Sequence, residues 1–445
     1  MTETSVYLAG NFAPVAEEVT ATNLPVRGRL PEELSGRYLR IGPNPLVPPD
    51  PAAYHWFLGD GMVHGIRLRA GKAEWYRNRW VRNQAIAEAR GEPDPPGEVH
   101  GGMDFSANTN VIGHGGRTLA LVEAGARPIE LSWDLETVRR SDFQGTLPNG
   151  FTAHPKLDPV TGELHACAYY WGLPHLQYLV VGTDGLVVSN EAIPVPGSPM
   201  VHDMSITGTR AVFYDQPVTF DLSSAPFPYS WNPDYGNRIG VLPFGAPGSE
   251  VVWVEMEPSY VFHPLNAYDE GETVVVDVVR HDRIFDRGAA GPYGSNPALW
   301  RWTIDPAAGK VHTEQLDDRP SEFPRVDERV VGRRHRYGWS VGLAAGDSSL
   351  YGADTLLKHD LVAGTSQART FPAGVGIGEA VFVPRSPISA EDDGWVLLLA
   401  YDAARDTSDL FVLDAADVTA EPVATVELPQ RVPEGFHGNW VADAP

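Results

Sequence analysis

The chain of 445 residues reads as an all-β protein of the propeller kind. Three observations predict this. Pro (39) and Gly (45) are frequent enough to make the chain turn-rich from end to end. Short apolar runs come in pairs, joined by Gly, Asp-Gly or Asp-Pro turns. Helical periodicity is scarce, and no strict repeat marks a solenoid. Many short antiparallel strands in so long a chain suit small sheets packed radially, an arrangement that leaves only short edges.

Taken in order, residues 1–36 read as an extended lead-in, with 22–36 (TNLPVRGRLPEELSG) a turn plus one short helical turn. Hairpin signals follow at 62–81, 109–124, 156–171 and 177–195. The stretch 198–217 (SPMVHDMSITGTRAVFYDQP) reads as a loop entering a hairpin, with Met200, Ile206, Val212 and Phe213 apolar and Thr207-Gly208-Thr209 as the turn. Strand signals continue at 272–282, 298–316, 349–371 and 394–429. Longer irregular stretches at 85–108, 221–250 and 282–298 read as insertions gathered over one face. No Ser/Gly linker or shift of composition divides the chain, so 1–445 is expected to form one domain.

The bulk numbers exclude some functions. A net charge of −24 argues against nucleic acid and against simple electrostatic attachment to anionic lipid. Cys167 is the only cysteine, so the chain offers neither an internal disulfide nor a thiolate metal cluster, and a reducing, cytoplasmic setting is expected. The N-terminus lacks a basic start followed by an apolar core, and no apolar run approaches the roughly 20 residues of a membrane span. Peripheral contact with a membrane through an apolar patch stays open.

The chemical signal lies in histidines. His202 stands at the entrance of the 198–217 hairpin, and three others stand in similar settings: His154 in FTAHPKLD, His263 in YVFHPLNAYD and His437 in EGFHGNW. His154 and His263 precede proline, which keeps the histidine backbone extended and turns the chain at once. A metal held by histidines alone needs neutral imidazoles on rigid supports, each fixed by an acceptor on its far nitrogen. Strand entrances near a propeller axis supply such supports. Imidazole suits Fe, Zn, Cu or Ni, so ligand type does not name the metal. His64 reads as a packing residue, His114 sits in a tight turn beside Gly113 and Gly115, and His335 lies in a basic cluster, RRHR, that repels a metal unless counter-charged. HExxH is absent, and no Ser-His-Asp motif is recognisable.

Around these residues the chain resembles the carotenoid cleavage oxygenase family, non-haem iron enzymes that split alkene double bonds with dioxygen. The resemblance runs from about Gly36 to Val441. RYLRIGPNP, YHWFLGDGMVHGI, ANTNVIGHGGRTLALVEAG, FTAHPKLDPVTGELHACAY, MVHDMSITGTRAVFYD, FHPLNAYDEGETVVVDVV, SEFPRVDERVVGRRHRYGW, GEAVFVPR and GFHGNW appear in the family's order. Any one block is weak; the ordered set is specific. The resemblance implies a seven-bladed β-propeller with iron on its axis, under a dome of long loops. It implies Fe2+ ligands His154, His202, His263 and His437, with Glu123, Glu322 and Glu379 holding the far nitrogens of three of them. Four neutral ligands would leave coordination positions open for O2, and no flavin, nicotinamide or 2-oxoglutarate is implied.

The implied reaction is cleavage of a C=C bond to two carbonyl products, in a carotenoid or apocarotenoid. The alternative is the same chemistry on a stilbene or phenylpropene. Members that cleave lignostilbenes resemble one another in carrying a lysine just before the LVEAG-type glutamate, where this chain has Val122. That departure favours a neutral alkene. Readings of a different class are a metal-free propeller scaffold and a propeller hydrolase built on carboxylates or calcium. The first predicts broken ligand positions and the second acidic residues on the axis.

Overall fold

In the computed structural model, which describes residues 5–286, 297–343 and 353–443, short strands form seven antiparallel sheets arranged as propeller blades. Blade 1 is built from both ends of the chain. Its order is Thr20–Thr22, Lys72–Trp80, Gly61–Arg69, Gly36–Pro43 and finally Gly438–Ala442, with Tyr38 opposite Trp440. Blades 2 to 6 are four-stranded and follow chain order, blade 4 interrupted by a two-stranded excursion between its second and third strands. They begin with Asn110–His114, Lys156–Leu157, Met204–Ile206, Pro264–Glu270 and Ser321–Arg325 respectively. Blade 7 starts as two short strands, Val375–Ile377 and Val381–Pro384, which pair with the same neighbour, Gly394–Asp402. It continues through Thr407–Asp414 and Ala424–Glu427 and ends on Val26–Gly28 from the lead-in.

The ring is therefore closed twice. The C-terminal strand completes the inside of blade 1, and the N-terminal segment adds outer strands to blades 1 and 7. Each added strand satisfies backbone groups that an open edge would leave unpaired. This corrects the reading of 22–36: the lead-in contributes two three-residue strands, its helical turns lie earlier at Val6–Leu8 and Gly10–Phe12, and around residue 32 the backbone makes only a turn, Leu34 N–H to Pro31 O. Such short edge strands carry no sequence pattern of their own, because their pairing partners lie at the other end of a blade or of the chain.

Blades pack face to face, so the strands near the axis are apolar on both sides and the outer ones are not. Thr273–Arg280 is buried over most of its length, whereas Lys310–Asp317 at the rim is largely exposed. Trp339 of blade 6 stacks on Phe382 of blade 7 (ring centroids 4.9 Å, planes 9° apart). Leu39 and Val63 of blade 1 meet Val111 and Ala120 of blade 2. At about 25 cal/mol per Å2, burial of such side chains is the main favourable term holding neighbouring blades together.

The stretch 85–108 leaves the propeller as expected, carrying the α-helix Gln84–Arg90, capped by Asn83 Oδ1 on Ile86 N–H and ended by left-handed Gly91. The stretch 221–250 is only partly an insertion. It holds a two-stranded excursion ending in Tyr229–Trp231, but Arg238–Pro243 is the third strand of blade 4. Most of 282–298, and the start of 349–371, lie outside the described residues.

Candidate metal centre

The first strands of adjacent blades pack against one another around the axis, so residues at their entrances converge. His154, His202, His263 and His437 stand two residues or fewer before the first strands of blades 3, 4 and 5 and the closing strand of blade 1. One ring nitrogen from each lies within 4.8 Å of all the others, and all four residues are buried. The remaining blades contribute carboxylates. Glu123 follows the second strand of blade 2, Glu322 lies on the first strand of blade 6, and Glu379 sits in the break of blade 7's first strand.

Each glutamate takes one imidazole. His202 Nδ1 donates to Glu123 (2.9 and 3.0 Å to its two oxygens), His263 Nδ1 to Glu322 (2.6 Å) and His437 Nδ1 to Glu379 (2.8 Å). A carboxylate can only accept, so the proton sits on Nδ1 and the Nε2 lone pair faces the centre. His202 Nε2 and His263 Nε2 are 3.3 Å apart. Two lone pairs at that distance repel unless a positive charge lies between them. His154 Nε2 is buried with no hydrogen-bond partner. Its Nδ1 lies 3.6 Å from Asp203, too far for a hydrogen bond, and Asp203 is instead held by Lys156 Nζ at 2.8 Å. The donor set therefore fits one cation bound by four neutral nitrogens and ringed by carboxylates.

The electrostatics favour neutral imidazoles at His154 and His437 and a charged one at His263. Burial, helped by neighbouring imidazoles, holds the His154 pKa well below the ordinary histidine value. Burial also brings His437 down to about 4, against the pull of Glu379. At His263 burial is outweighed by the Glu322 carboxylate, and the pKa rises. Although burial opposes it, Glu379 falls to about 2 because Arg325 and His437 face it, and Glu322 falls further under His263 and His281. Both acids are ionised at neutral pH, as acceptors must be.

Sequence reasoning missed the groups that hold these carboxylates. The second oxygen of Glu322 accepts from His281 Nε2 at 2.9 Å, and Glu379 accepts from Arg325 Nη1 at 2.9 Å and Gly438 N–H at 2.8 Å. Burial, helped by the Glu123 carboxylate, holds the Tyr169 hydroxyl well above the ordinary tyrosine value. No motif announces these partners, since Arg325 and Glu379, like His281 and Glu322, stand far apart in the chain. The residues after two of the glutamates, Ala124 (φ 62°) and Phe323 (φ 51°), sit in the left-handed region. For a phenylalanine this conformation is strained. It turns the Phe323 ring flat against His263 (centroids 5.3 Å, 23°) while its N–H donates to Glu322 at 2.5 Å.

The other histidines behave as packing residues. His64 Nδ1 bonds the Tyr76 hydroxyl at 2.9 Å, His114 Nε2 donates to Gly182 O at 2.8 Å, and His335 lies buried beside Asp277 and Asn266.

Over the imidazoles lies a cavity of about 360 Å3. His202, His263, His437 and Glu123 form its floor, and Phe57, Phe227, Phe262, Phe323, Tyr169 and Tyr229 are among its walls. Phe227 and Tyr229 come from the 221–250 excursion, and Asp104, Phe105, Ser106 and Asn108 from 85–108 also line the cavity, so two of the three irregular stretches reach the site. Val122 is part of the wall. Leu58 and Phe105 also line it and are 49% and 38% exposed.

The retinal pigment epithelial membrane protein family model, which describes the carotenoid oxygenases, matches residues 12–442. The chain is 48% identical to a carotenoid cleavage oxygenase of Mycobacterium tuberculosis, over 98% of this chain and 97% of the relative. It is 34% identical to a carotenoid 9,10(9',10')-cleavage dioxygenase of Crocus sativus, over 98% of this chain and 89% of the relative. Among solved structures, Pseudomonas brassicacearum lignostilbene dioxygenase superposes with a TM-score of 0.90 at 30% identity, covering 99% of both chains. Cobalt-substituted Synechocystis ACO does so with 0.86 at 29% identity, covering 97% of both. The propeller shared with such relatives, which here holds a buried four-histidine cluster below an apolar cavity, defines an alkene-cleaving oxygenase. The chain belongs to the carotenoid cleavage oxygenase family. The metal-free scaffold is not favoured, and histidines, not a set of carboxylates, converge on the axis.

Proposed function

We propose that the chain, acting as one unit over 1–445, binds iron(II) through His154, His202, His263 and His437 and cleaves a C=C bond of a carotenoid or apocarotenoid with O2, giving two carbonyl products. The observation that carries this reading is the convergence of bare imidazole nitrogens on the floor of an apolar cavity. The four histidines would hold iron(II), which when bound would supply the redox chemistry that activates dioxygen.

The protein's own residues do the rest. Glu123, Glu322 and Glu379 fix the tautomer and ring angle of His202, His263 and His437. The aromatic walls bind a polyene by burial and place one double bond over the imidazoles, while excluding water. No general base is required. The neutral Val122 in the wall supports an alkene without a phenolate, as do the carotenoid-cleaving relatives from Mycobacterium tuberculosis and Crocus sativus. A stilbene or phenylpropene is the second reading, favoured by the Pseudomonas brassicacearum neighbour and by the tyrosines Tyr169 and Tyr229 in the wall.

Leu58 and Phe105, apolar and exposed where they line the cavity, support peripheral contact with a membrane that holds an apolar substrate. No helix among the described residues is long and apolar enough to cross one. A cytoplasmic setting is consistent with the single buried Cys167.

The test is iron-loaded protein incubated under air with carotenoids, apocarotenoids, stilbenes and phenylpropenes, with products read by mass. Paired aldehydes from a polyene are expected, and none from His202→Ala or His437→Ala, which stay folded but hold no iron. Turnover retained in either variant overturns the ligand set; cleavage of stilbenes alone overturns the substrate class.

A further inference from the structure

Three of the four imidazoles are anchored by a glutamate, and His154 is not. An acid nevertheless stands beside it. Asp203, next to His202 in the chain, is buried, and its Oδ2 lies 3.6 Å from His154 Nδ1, just beyond hydrogen-bond reach. What occupies Asp203 is Lys156. The ammonium lies 2.8 Å from each carboxylate oxygen, and Oδ1 also accepts the Met204 N–H at 2.6 Å. Residues two apart on an extended chain share a face, so His154 and Lys156, on either side of Pro155, both approach Asp203 at the entrance of blade 4. A cation near a carboxylate does not by itself exclude an imidazole. At Glu379, Arg325 Nη1 takes Oε2 and leaves Oε1 to His437 Nδ1 at 2.8 Å. At Asp203 the ammonium straddles both oxygens. With Nδ1 out of reach of Asp203 and Nε2 without a partner, no hydrogen bond fixes the angle of the His154 ring.

We infer that Lys156 is a positioning residue: it holds the Asp203 carboxylate off His154, so that this ligand alone of the four keeps a ring free to turn. The inference rests on the metal site proposed above. An ammonium–carboxylate contact is charged on both sides, whereas the N–H of a neutral imidazole is a weaker donor, so Lys156 prevails at the shared oxygen. Asp203 is buried, and an ionised acid there needs a counter-charge. Three anchored rings fix where an ion sits, and the fourth nitrogen can then adjust its approach. A fourth anchored ring would require all four nitrogens to be placed correctly beforehand. With Nε2 turned to an ion, the His154 proton is on Nδ1. His154, Lys156 and Asp203 line a second cavity of about 270 Å3, shared with the Glu328 side chain, which is 52% exposed, so water can reach that proton.

The ring protons can be read directly. The chain is loaded with cobalt(II), and its proton NMR spectrum is recorded in water, where the ion shifts the signals of its ligand rings away from the rest. Shifted signals that vanish in deuterium oxide belong to ring N–H groups. The parent should show three that persist in water, from the rings bonded to glutamate, with the fourth lost to exchange. Lys156→Met and Lys156→Leu should each gain a fourth, as Asp203 closes on His154. Lys156→Arg keeps a cation at Asp203 and should show three. Lys156→Met with Asp203→Asn should also show three, because the single amide oxygen serves the Met204 N–H and an NH2 group cannot accept from Nδ1. A merely structural disturbance would neither depend on Asp203 nor be undone by arginine. Four persistent signals in the parent, in Lys156→Arg or in the double variant overturn the role of Lys156. So do three signals in both Lys156→Met and Lys156→Leu, or failure of both to hold cobalt, since release of Asp203 should anchor the ring. A parent that takes up no cobalt overturns the metal site instead, so the two failures are distinguishable.

Discussion

Glu322→Gln isolates what a carboxylate behind a ligand contributes. The side chain is fully buried and accepts three N–H groups: His263 Nδ1 at 2.6 Å, His281 Nε2 at 2.9 Å and Phe323 N at 2.5 Å. Glutamine keeps the shape but has one acceptor oxygen, and its NH2 must face at least one of those donors. A hydrogen bond to a charged buried partner contributes about 1.5–3 kcal/mol, so losing one and weakening the others costs roughly 3 kcal/mol in all. Part of this falls on folding. The part that reaches the site appears as a free His263 ring, able to rotate or to move its proton to Nε2, which stands 3.3 Å from His202. Loss of such an outer partner lowers metal affinity about 10–100-fold, or roughly 1.4–2.7 kcal/mol. His263→Ala removes a nitrogen outright and should abolish measurable binding. The assay is competition for cobalt(II) or iron(II) against a chelator, with kcat/KM measured at saturating metal. Glu322→Gln should recover part of its activity when metal is raised, and His263→Ala should not. Affinity within about twofold of the parent, or a loss equal to that of His263→Ala, would refute the orienting role.

Two further expectations follow from other parts of the molecule. Val122→Lys places an ammonium in the cavity wall beside Glu123. It should raise the kcat/KM ratio for a hydroxystilbene over its methyl ether by about tenfold, as a charge-assisted contact would; an unchanged ratio in folded, metal-loaded protein counts against Val122 as the specificity position. His55 lies buried in the dome, stacked on Phe227, and burial lowers its pKa to about 4. A depressed pKa means its contribution is complete above the unfolded value near 6.5 and is lost as pH falls toward 4. At pH 5 that loss is about 2 kcal/mol. His55→Asn should narrow the difference in urea midpoint between pH 7 and pH 5, and an unchanged difference removes His55 from the account.

Most of the strand pattern was legible because its causes are local. Turn residues at Thr207-Gly208-Thr209 or Gly71 act over a few positions, and alternation within a strand reports a buried face wherever that face points. The four histidines were legible for the same reason: each marks the entrance of an inner strand, two of them ahead of proline. The glutamates were reached through the ordered family blocks, since nothing local separates Glu123 from any other acid. The misread elements were those whose causes are distant. Val26–Gly28 becomes a strand only because Ala424–Glu427 lies beside it, and Arg238–Pro243 belongs to blade 4 although an excursion separates it from its hairpin.

By itself, then, the sequence determined an acidic all-β chain with strand-entrance histidines, because backbone propensity and side-chain periodicity are properties of short segments. Tertiary structure alone decided that His154, His202, His263 and His437 share one centre, that His281 and Arg325 hold two of the carboxylates behind them, and which aromatics face the cavity. Those facts depend on closing a ring between residues about 400 positions apart, where Tyr38 meets Trp440. Positions so far apart in the chain become neighbours only when every blade between them packs, and no segment carries that information alone.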